Sequence, residues 1–261
     1  MQKVRVDKLL VDLGIAEDTD KALRLIMAGE VSSEGRRLES AGEKISPDAH
    51  IHIKSQKTYV SRGGHKLEGA LKAFEISPKG LNCLDIGCSS GGFTDCLLKA
   101  GANHVSSVDV GFAQFDWALR QDSRVSLFEK TNIVDVDPHV IAAPFDLIVC
   151  DVSFTAIHNI LYSVESLLTD TGVFLSLVKP QFEAPKELVG EGGVIRERSV
   201  HSLVLNQVLA DFEHSSLNVK GFCVSPIKGP KGNREFFVCA SKAFSKHLVD
   251  IEKMVDEAWK L

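Results

Sequence analysis

Two charged residues stand directly after apolar strands in the second half of this sequence. Asp151 follows the run FDLIVC, and Lys179 follows the run GVFLSLV. Both runs have the length and the branched apolar content of buried strands in a parallel sheet, and such strands end at the same edge. That edge is where open α/β sheets bind ligands. The pair predicts an acid–base or ligand-orienting site, although a lysine at a strand end often only reaches towards solvent.

A glycine-rich loop, GCSSGGF, follows a third apolar strand, Leu81–Ile86, and precedes a helix. This position predicts a ligand-binding loop. The spacing lacks both the GxGxxG dinucleotide pattern and the GKS or GKT of a phosphate-binding loop, which disfavours NAD and ATP. Asp85 suits the cationic head group of an amino acid, and Asp109, near the end of the run HVSSVDV, suits ribose hydroxyls. The alternative is a glycine turn that only lets strand and helix pack.

Alternating strands and helices position these residues from about residue 60 onward. The alternation predicts an α/β fold with a mostly parallel sheet. The last two apolar runs, KGFCVS and EFFVCAS, have no long helix between them and predict an antiparallel pair that closes the sheet. The predicted helices begin near His65 and span 94–99, 115–119, 157–168 and 200–212.

A smaller α+β module precedes this region. Its apolar spacing predicts helices over 6–13 and from 19 to Gly29, and strands over 31–35 and 50–53. The following stretch, 54–66, is basic and contains Gly63 and Gly64, which we expect to break any helix there. We therefore expect one domain over 1–59, with the basic linker, and a second over 60–261.

Composition restricts the kind of protein. The chain has 261 residues, 44% of them hydrophobic and 25% charged, which is typical of a globular protein. Its net charge of −5 argues against binding nucleic acid by bulk charge, so any such binding requires local basic patches. Six cysteines without a CxxC pair indicate reduced, buried thiols and no zinc site. With no apolar stretch of membrane-spanning length, we expect a cytoplasmic protein without a membrane or metal partner.

Six motifs, in order along the chain, resemble those of the TlyA family of RNA 2′-O-methyltransferases, relatives of the FtsJ-type enzymes. Some members carry the label haemolysin. The motifs are YVSRGGHKLEGAL (59–71), LDIGCSSGGFTDCLL (84–98), FDLIVCDVSF (145–154), LVKPQFE (177–183), GEGGVIRE (190–197) and GPKGNREFFV (229–238). The smaller module, with RVDKLLVDLG, DKALRLIMAGEV and IHI, resembles the S4 RNA-binding fold, although a purely structural cap is an alternative. The resemblance implies a class I methyltransferase sheet with a Rossmann-like arrangement.

The resemblance implies a catalytic tetrad of two lysines and two carboxylates. The matching positions are Lys66, Asp151, Lys179 and Glu235. Lys179 would act as base or orient the acceptor hydroxyl, and Asp151 would orient Lys179. Lys66 would hold a neighbouring phosphate or hydroxyl, and Glu235 would fix the lysines. Glu235 opens the last strand, whose amino end reaches the same edge if that strand is antiparallel.

The resemblance also implies S-adenosylmethionine as methyl donor and rRNA within ribosomal subunits as partner, with a cytidine ribose as acceptor. Positions matched to donor binding, together with Asp85, are Gly87, Gly91, Phe93, Asp109, Asn132 and Asp151. The basic residues expected to contact RNA are Arg36, Arg37, Lys54, Lys57 and Arg62. The loop 190–199 has a Gly-Gly pair and is interpreted either as a flap over substrate or as an ordinary surface loop.

Three other functions stay open at this point. The haemolysin label suggests a membrane-damaging protein, but no segment has the basic amphipathic pattern that this activity requires. A ribosome-binding factor without catalysis is a second possibility, and the four polar residues of the tetrad speak against it. A methyltransferase acting on another acceptor is the third, because the donor loop does not specify the acceptor.

Overall fold

The computed structural model describes residues 3–53, 58–229 and 231–260. The chain divides into two compact units, Met1–Thr58 and Tyr59–Leu261. The smaller unit holds the N-terminal module, and the larger unit holds the alternating strands and helices. Each unit has its own hydrophobic core.

Within its described residues, the smaller unit contains two helices and five short strands. They are β1 (Val4–Arg5), α1 (Val6–Asp12), α2 (Thr19–Met27), β2 (Val31–Ser33), β3 (Arg36–Arg37), β4 (Lys44–Ile45) and β5 (Ile51–Ile53). The helices pack through Leu10 and Ile26, which are almost completely buried. Both predicted helices are confirmed. The strand predicted over 31–35 ends two residues earlier, because Glu34 and Gly35 form a turn with positive φ.

The larger unit is built on a seven-stranded sheet with the order β11-β12-β10-β9-β6-β7-β8. Its strands are β6 (Asn82–Ile86), β7 (His104–Val108), β8 (Val125–Phe128), β9 (Phe145–Cys150), β10 (Leu168–Val178), β11 (Asn218–Val224) and β12 (Phe236–Ser241). Its helices are α3 (Gly63–Phe74), α4 (Gly92–Lys99), α5 (Trp117–Arg120), α6 (His158–Leu167), α7 (Pro180–Glu183), α8 (Arg198–Glu213) and α9 (Ile251–Lys260). Pairs from β10 through β9, β6 and β7 to β8 are parallel, and β12 is antiparallel to both of its neighbours. The predicted α/β class and closing antiparallel pair are confirmed.

Alternate residues along the central strands enter the cores on opposite faces of the sheet. Leu147 packs in the core that contains residues of α3 and α4, and the next residue, Ile148, packs in the core that contains residues of α6, α8 and α9. Leu175 and Phe174 divide in the same way. Strands buried on both faces carry continuous apolar sequence, which is why β9 and β10 could be predicted from their composition.

Helix α3 begins at Gly63, two residues before the start predicted from the sequence. The expectation that Gly63 and Gly64 break a helix is wrong here. A Cβ atom on Gly64 would lie 2.2 Å from Cγ of Tyr59, so residue 64 must lack a side chain where the chain turns into the helix. The glycines are therefore used for close packing in the first turn, a role that outweighs their poor helix propensity.

Five chain positions meet at one edge of the sheet because of the strand directions. Strands β6, β7, β9 and β10 all end there, and the antiparallel β12 begins there, with Val178 opposite Phe236. The residues just outside these strand ends are Gly87, Asp109, Asp151, Lys179 and Glu235. This edge is the candidate site.

Candidate active site

Two lysine–carboxylate pairs lie at this edge. Lys66 Nζ of α3 lies 2.6 Å from Glu235 Oε2, and both side chains are almost completely buried. Lys179 Nζ lies 2.5 Å from Asp151 Oδ1. All four residues line one cavity of about 400 Å³. The structure thus brings together the four residues of the tetrad, two of them 169 positions apart in the chain.

Ser153 also contacts the second pair. Lys179 Nζ donates a hydrogen bond of 2.9 Å to Ser153 Oγ. Among the described residues, Asp151 Oδ1 has no hydrogen bond of acceptable geometry, so its contact with Lys179 is an ion pair defined by distance. The ring of Phe182 lies on a further side, with its centroid 5.8 Å from Nζ.

Two glycines of the glycine-rich loop combine a positive φ with close neighbours. Gly87 has a φ of 80°, and a Cβ there would lie 2.8 Å from the carbonyl oxygen of Asp151. Gly91 has a φ of 91°, and a Cβ there would lie 2.5 Å from Cδ1 of Leu119. The loop backbone therefore approaches its neighbours more closely than any other residue type permits. Phe93, in the first turn of α4, is buried. Together with Lys66 and residues of the loop, it lines a further cavity.

A larger cavity of about 690 Å³ extends from this loop along the ends of β6 and β7. Its lining includes Gly87, Asp109, Asn132 and Asp151. Asp109 holds two loops together, since its carboxylate accepts from the backbone N–H of Ser89 at 2.7 Å and of Gly111 at 2.6 Å. Each of its oxygens keeps a second lone pair for a ligand. Asn132 is exposed and precedes a short 3-10 helix.

Asp85 lies inside β6 and is completely buried. Its Oδ2 accepts a hydrogen bond of 2.6 Å from Thr94, whose hydroxyl oxygen lies 2.8 Å from Ser107 Oγ. Burial raises the pKa of Asp85 to about 7, because the charged form loses its hydration. This arrangement joins β6 to α4 and β7, and the assignment of Asp85 to a donor head group stays a prediction.

The basic residues expected to contact RNA are partly described. Arg36 pairs with Glu43, Arg37 is exposed on β3, and exposed Arg62 donates a hydrogen bond of 2.8 Å to the carbonyl of Lys228. The predicted contacts Lys54 and Lys57 lie outside the described residues. Their roles stay predictions.

The loop 190–199, interpreted from the sequence as a flap or an ordinary surface loop, is attached to the segment before Glu235. Asn233 Nδ2 donates to the Gly193 carbonyl at 2.8 Å, and Asn233 Oδ1 accepts from the Ile195 N–H at 3.0 Å. Lys231 Nζ donates to the Gly192 carbonyl at 2.9 Å. Sequence reasoning missed this role of Asn233, because no pattern around residue 233 indicates a contact forty positions away.

Phe154 was also missed. Its side chain is 90% exposed, its φ of 64° is unusual for an aromatic residue, and its ring lies 4.9 Å from that of Phe182. It lines both the larger cavity beside the glycine-rich loop and the cavity of the two lysine–carboxylate pairs. Its place in the turn after β9, directly following Ser153, was the available signal, but the direction of the ring depends on the backbone of that turn.

Two further features of the described residues bear on the expected partners. No helix among residues 3–53, 58–229 and 231–260 is both long and apolar enough to cross a membrane. All six cysteines are free, and five of them are buried.

Comparison with known proteins gives matches along most of the chain. The family model described as FtsJ-like methyltransferase matches residues 59–242. YqxC of Bacillus subtilis, provisionally named an rRNA methyltransferase, is 44% identical over 239 residues, which cover 91% of this chain and 85% of that protein. The 16S/23S rRNA (cytidine-2′-O)-methyltransferase TlyA of Mycobacterium tuberculosis is 38% identical over 239 residues, covering 91% and 89%.

A solved structure has the same architecture. A Streptococcus thermophilus protein provisionally described as a hemolysin has a TM-score of 0.75 and 40% identity, covering 100% of this chain and 97% of that one. The family match spans the glycine-rich loop and all four residues of the tetrad. With its sheet, its site and these relatives considered together, this chain belongs to the FtsJ-like methyltransferase family.

Proposed function

We propose that this chain transfers a methyl group from S-adenosylmethionine to the 2′-hydroxyl of a cytidine ribose in 16S or 23S rRNA of ribosomal subunits. The observation that carries the proposal is the shared lining of two cavities. Asp151 and Ser153 line both the cavity of the glycine-rich loop and the cavity of the two lysine–carboxylate pairs. A donor in the first and an acceptor hydroxyl in the second would meet beside Lys179.

The glycine-loop cavity has the chemistry expected for an adenosyl donor. Gly87 and Gly91 leave room for close backbone approach, Asp109 offers free lone pairs to ribose hydroxyls, and Asn132 is exposed beside an apolar wall. S-adenosylmethionine, when bound, supplies an electrophilic methyl group on a cationic sulfur. The nearby carboxylate of Asp151 favours that positive charge.

The tetrad has the chemistry expected for a ribose hydroxyl acceptor. A 2′-hydroxyl is a weak nucleophile, so its attack benefits from alignment and from a group that takes its proton. Lys179 Nζ would hold the hydroxyl and accept that proton, and Asp151 and Ser153 would fix Nζ. The Lys66–Glu235 pair lines the same cavity and would keep a buried cation near the acceptor.

An RNA acceptor is favoured by the surroundings of the tetrad cavity. Exposed cations border the two cavities that contain Lys66, namely Arg62, Lys228 and Lys231. The exposed ring of Phe154 at the mouth suits stacking on a nucleobase. Relatives of this chain are named for rRNA methylation, and rRNA is the substrate class that we propose here. Because of these relatives, we also assign RNA binding to the S4-like module and the basic linker.

The test is tritiated methyl transfer from S-adenosylmethionine to purified 30S subunits, 50S subunits and naked rRNA. We expect labelling of a single nucleotide in at least one of them and none when that nucleotide is the 2′-deoxy form. Lys179→Ala should lower the transfer rate by on the order of 10²- to 10⁴-fold, with S-adenosylmethionine affinity by calorimetry little changed. Labelling of the deoxy substrate, or full activity of the variant, would overturn the proposal. Vesicle leakage without transfer would favour the membrane-damaging alternative.

A further inference from the structure

Ser153 occupies the place where the three cavities of the site join. It follows β9 by three positions and lines the glycine-loop cavity, the tetrad cavity and the cavity beside Phe93. Its side chain is exposed, whereas that of Lys179 is only 11% exposed. The hydroxyl therefore lies beside the reacting groups without being part of the buried core.

The hydrogen bond from Lys179 Nζ to Ser153 Oγ is the contact that fixes the direction of the Lys179 amine. The ion pair between Nζ and Asp151 Oδ1 is short but has no hydrogen-bond geometry among the described residues. An ion pair fixes distance more than direction, because the Coulomb energy depends on separation. If Asp151 were its only contact and Ser153 did not accept a hydrogen bond, the Lys179 amine could rotate about its Cε–Nζ bond at little cost.

The direction of the Lys179 amine matters because its lone pair takes the proton of the acceptor hydroxyl. A neutral lysine amine has two N–H bonds and one lone pair in a tetrahedral arrangement. If one N–H points to Ser153 Oγ and the other faces Asp151, the lone pair is left with a single remaining direction. We propose that Ser153 is a positioning residue that holds Lys179 Nζ with this lone pair directed at the acceptor hydroxyl, a role that rests on the proposed function.

The proton and electron balance of the step is then complete. The bond between sulfur and methyl breaks with its electron pair remaining on sulfur, and a bond forms between the acceptor oxygen and the methyl carbon. The hydroxyl proton moves to the lone pair of Lys179 Nζ, which becomes an ammonium. Ser153 remains an acceptor of one N–H before and after the transfer, so it needs no rearrangement.

The test compares Ser153→Ala and Ser153→Thr with the wild-type enzyme. Ser153→Ala removes the acceptor, and we expect kcat to fall roughly 5- to 30-fold, the usual effect of losing one such hydrogen bond. The KM for ribosomal subunits and the calorimetric Kd for S-adenosylmethionine should change less than about twofold. Ser153→Thr keeps the oxygen and should restore most of the activity. Ser166→Ala, which alters an exposed serine of α6 outside the three cavities, is the matched control.

The outcomes separate the two proposals. If wild-type enzyme transfers no methyl group to any RNA, the proposed function fails. If wild-type enzyme is active and Ser153→Ala has the same kcat, the positioning role is wrong. A loss confined to donor affinity would make Ser153 a donor contact, and an equal loss in the alanine and threonine variants would show that side-chain shape matters instead of the oxygen. Thermal unfolding of both variants identifies any loss caused by misfolding.

Discussion

Gly229 lies so close to Glu235 that a Cβ atom on residue 229 would be 2.5 Å from Glu235 Oε1. The backbone of this turn is fixed by a hydrogen bond of 2.9 Å from the Gly229 N–H to the Asn233 carbonyl. Glycine at 229 therefore permits the carboxylate to reach Lys66.

The first prediction follows from this close approach. Gly229→Ala should displace the Glu235 carboxylate and lengthen its pairing with Lys66, which lowers kcat by on the order of tenfold or more. Gly42→Ala is the control, because a Cβ there would meet Arg5 only at an ordinary distance of 3.7 Å. Wild-type turnover by the Gly229 variant would mean that the buried pair tolerates displacement.

The second prediction concerns the stability of the buried pair. Lys66→Ala leaves Glu235 buried without its partner, and we expect the free energy of unfolding to fall by about 3–5 kcal/mol. The double variant Lys66→Met, Glu235→Leu should regain most of this stability while remaining inactive. Urea denaturation measures both. A double variant as unstable as the single one would show that packing, not the unpaired charge, sets the cost.

The third prediction is a pH dependence that arises from Asp85. Its pKa is raised to about 7 in the folded chain, so the native state holds a proton that the unfolded chain releases at lower pH. Its contribution to stability is complete below the unfolded value of 3.8 and is lost as pH rises to about 7. The loss is at most about 4 kcal/mol, since one pKa unit corresponds to about 1.4 kcal/mol.

Asp85→Asn should remove this dependence, so the stability difference between variant and wild type should move in favour of the variant between pH 4 and pH 7. Chemical denaturation across that range gives the difference directly. Parallel curves for the two proteins would assign the pH dependence to other groups. Calorimetry of S-adenosylmethionine on the same variant tests the predicted contact with the donor head group.

The fourth prediction concerns Phe154. If its exposed ring stacks on a base of the acceptor RNA, Phe154→Ala should lose about 1–3 kcal/mol of stacking free energy. The loss should appear as weaker binding of the target RNA or as a less stable reactive conformation of the bound RNA. Phe154→Trp should retain activity because it keeps an aromatic face. Tyr162→Ala removes a ring of α6 that is 84% exposed and lines neither the glycine-loop cavity nor the tetrad cavity, and serves as control. Equal kinetics for Phe154→Ala and wild type would contradict stacking.

The fifth prediction concerns the proposed RNA contacts. Replacing Arg62, or the pair Lys54 and Lys57, by alanine should weaken subunit binding and reduce the slope of log K against log salt by about one for each phosphate that the variant no longer neutralises. The same experiment on Arg36 and Arg37 tests the smaller unit. Lys246→Ala is an exposed control. An unchanged slope would move the RNA surface to Arg196, Arg198, Lys228 and Lys231.

The sequence predicted those parts of the fold that depend on local pattern. The apolar runs of β6, β9 and β10 identified the central strands, and the absence of a helix before β12 indicated its antiparallel direction. Strand β8 was expected before Asn132 but could not be given bounds, because its four residues are only partly buried at the edge. Helix α9 also escaped, although Ile251, Val255 and Ala258 have the spacing of a buried helical face.

The part of the site that could be predicted consists of the charged residues that directly follow strands. Asp151 and Lys179 follow strands whose directions were evident. The positions of Ser153 and Asn233 were not evident, because a hydroxyl or an amide in a turn acquires its partner from backbone torsions. The role of Gly64 was not evident either, since it depends on how the turn before α3 folds the ring of Tyr59, five residues earlier, against the helix.

The sheet order has a consequence for synthesis of the protein. Strand β12 lies between β10 and β11, so β11 has no partner strand in the sheet until β12 has left the ribosome. A nascent chain that ends before residue 236 therefore presents an open edge on β10, the kind of edge that pairs with other chains and aggregates. We expect such truncated chains to depend on chaperones. The same late strand carries Glu235 into place, so folding of the edge and maturation of the catalyst are completed in one event.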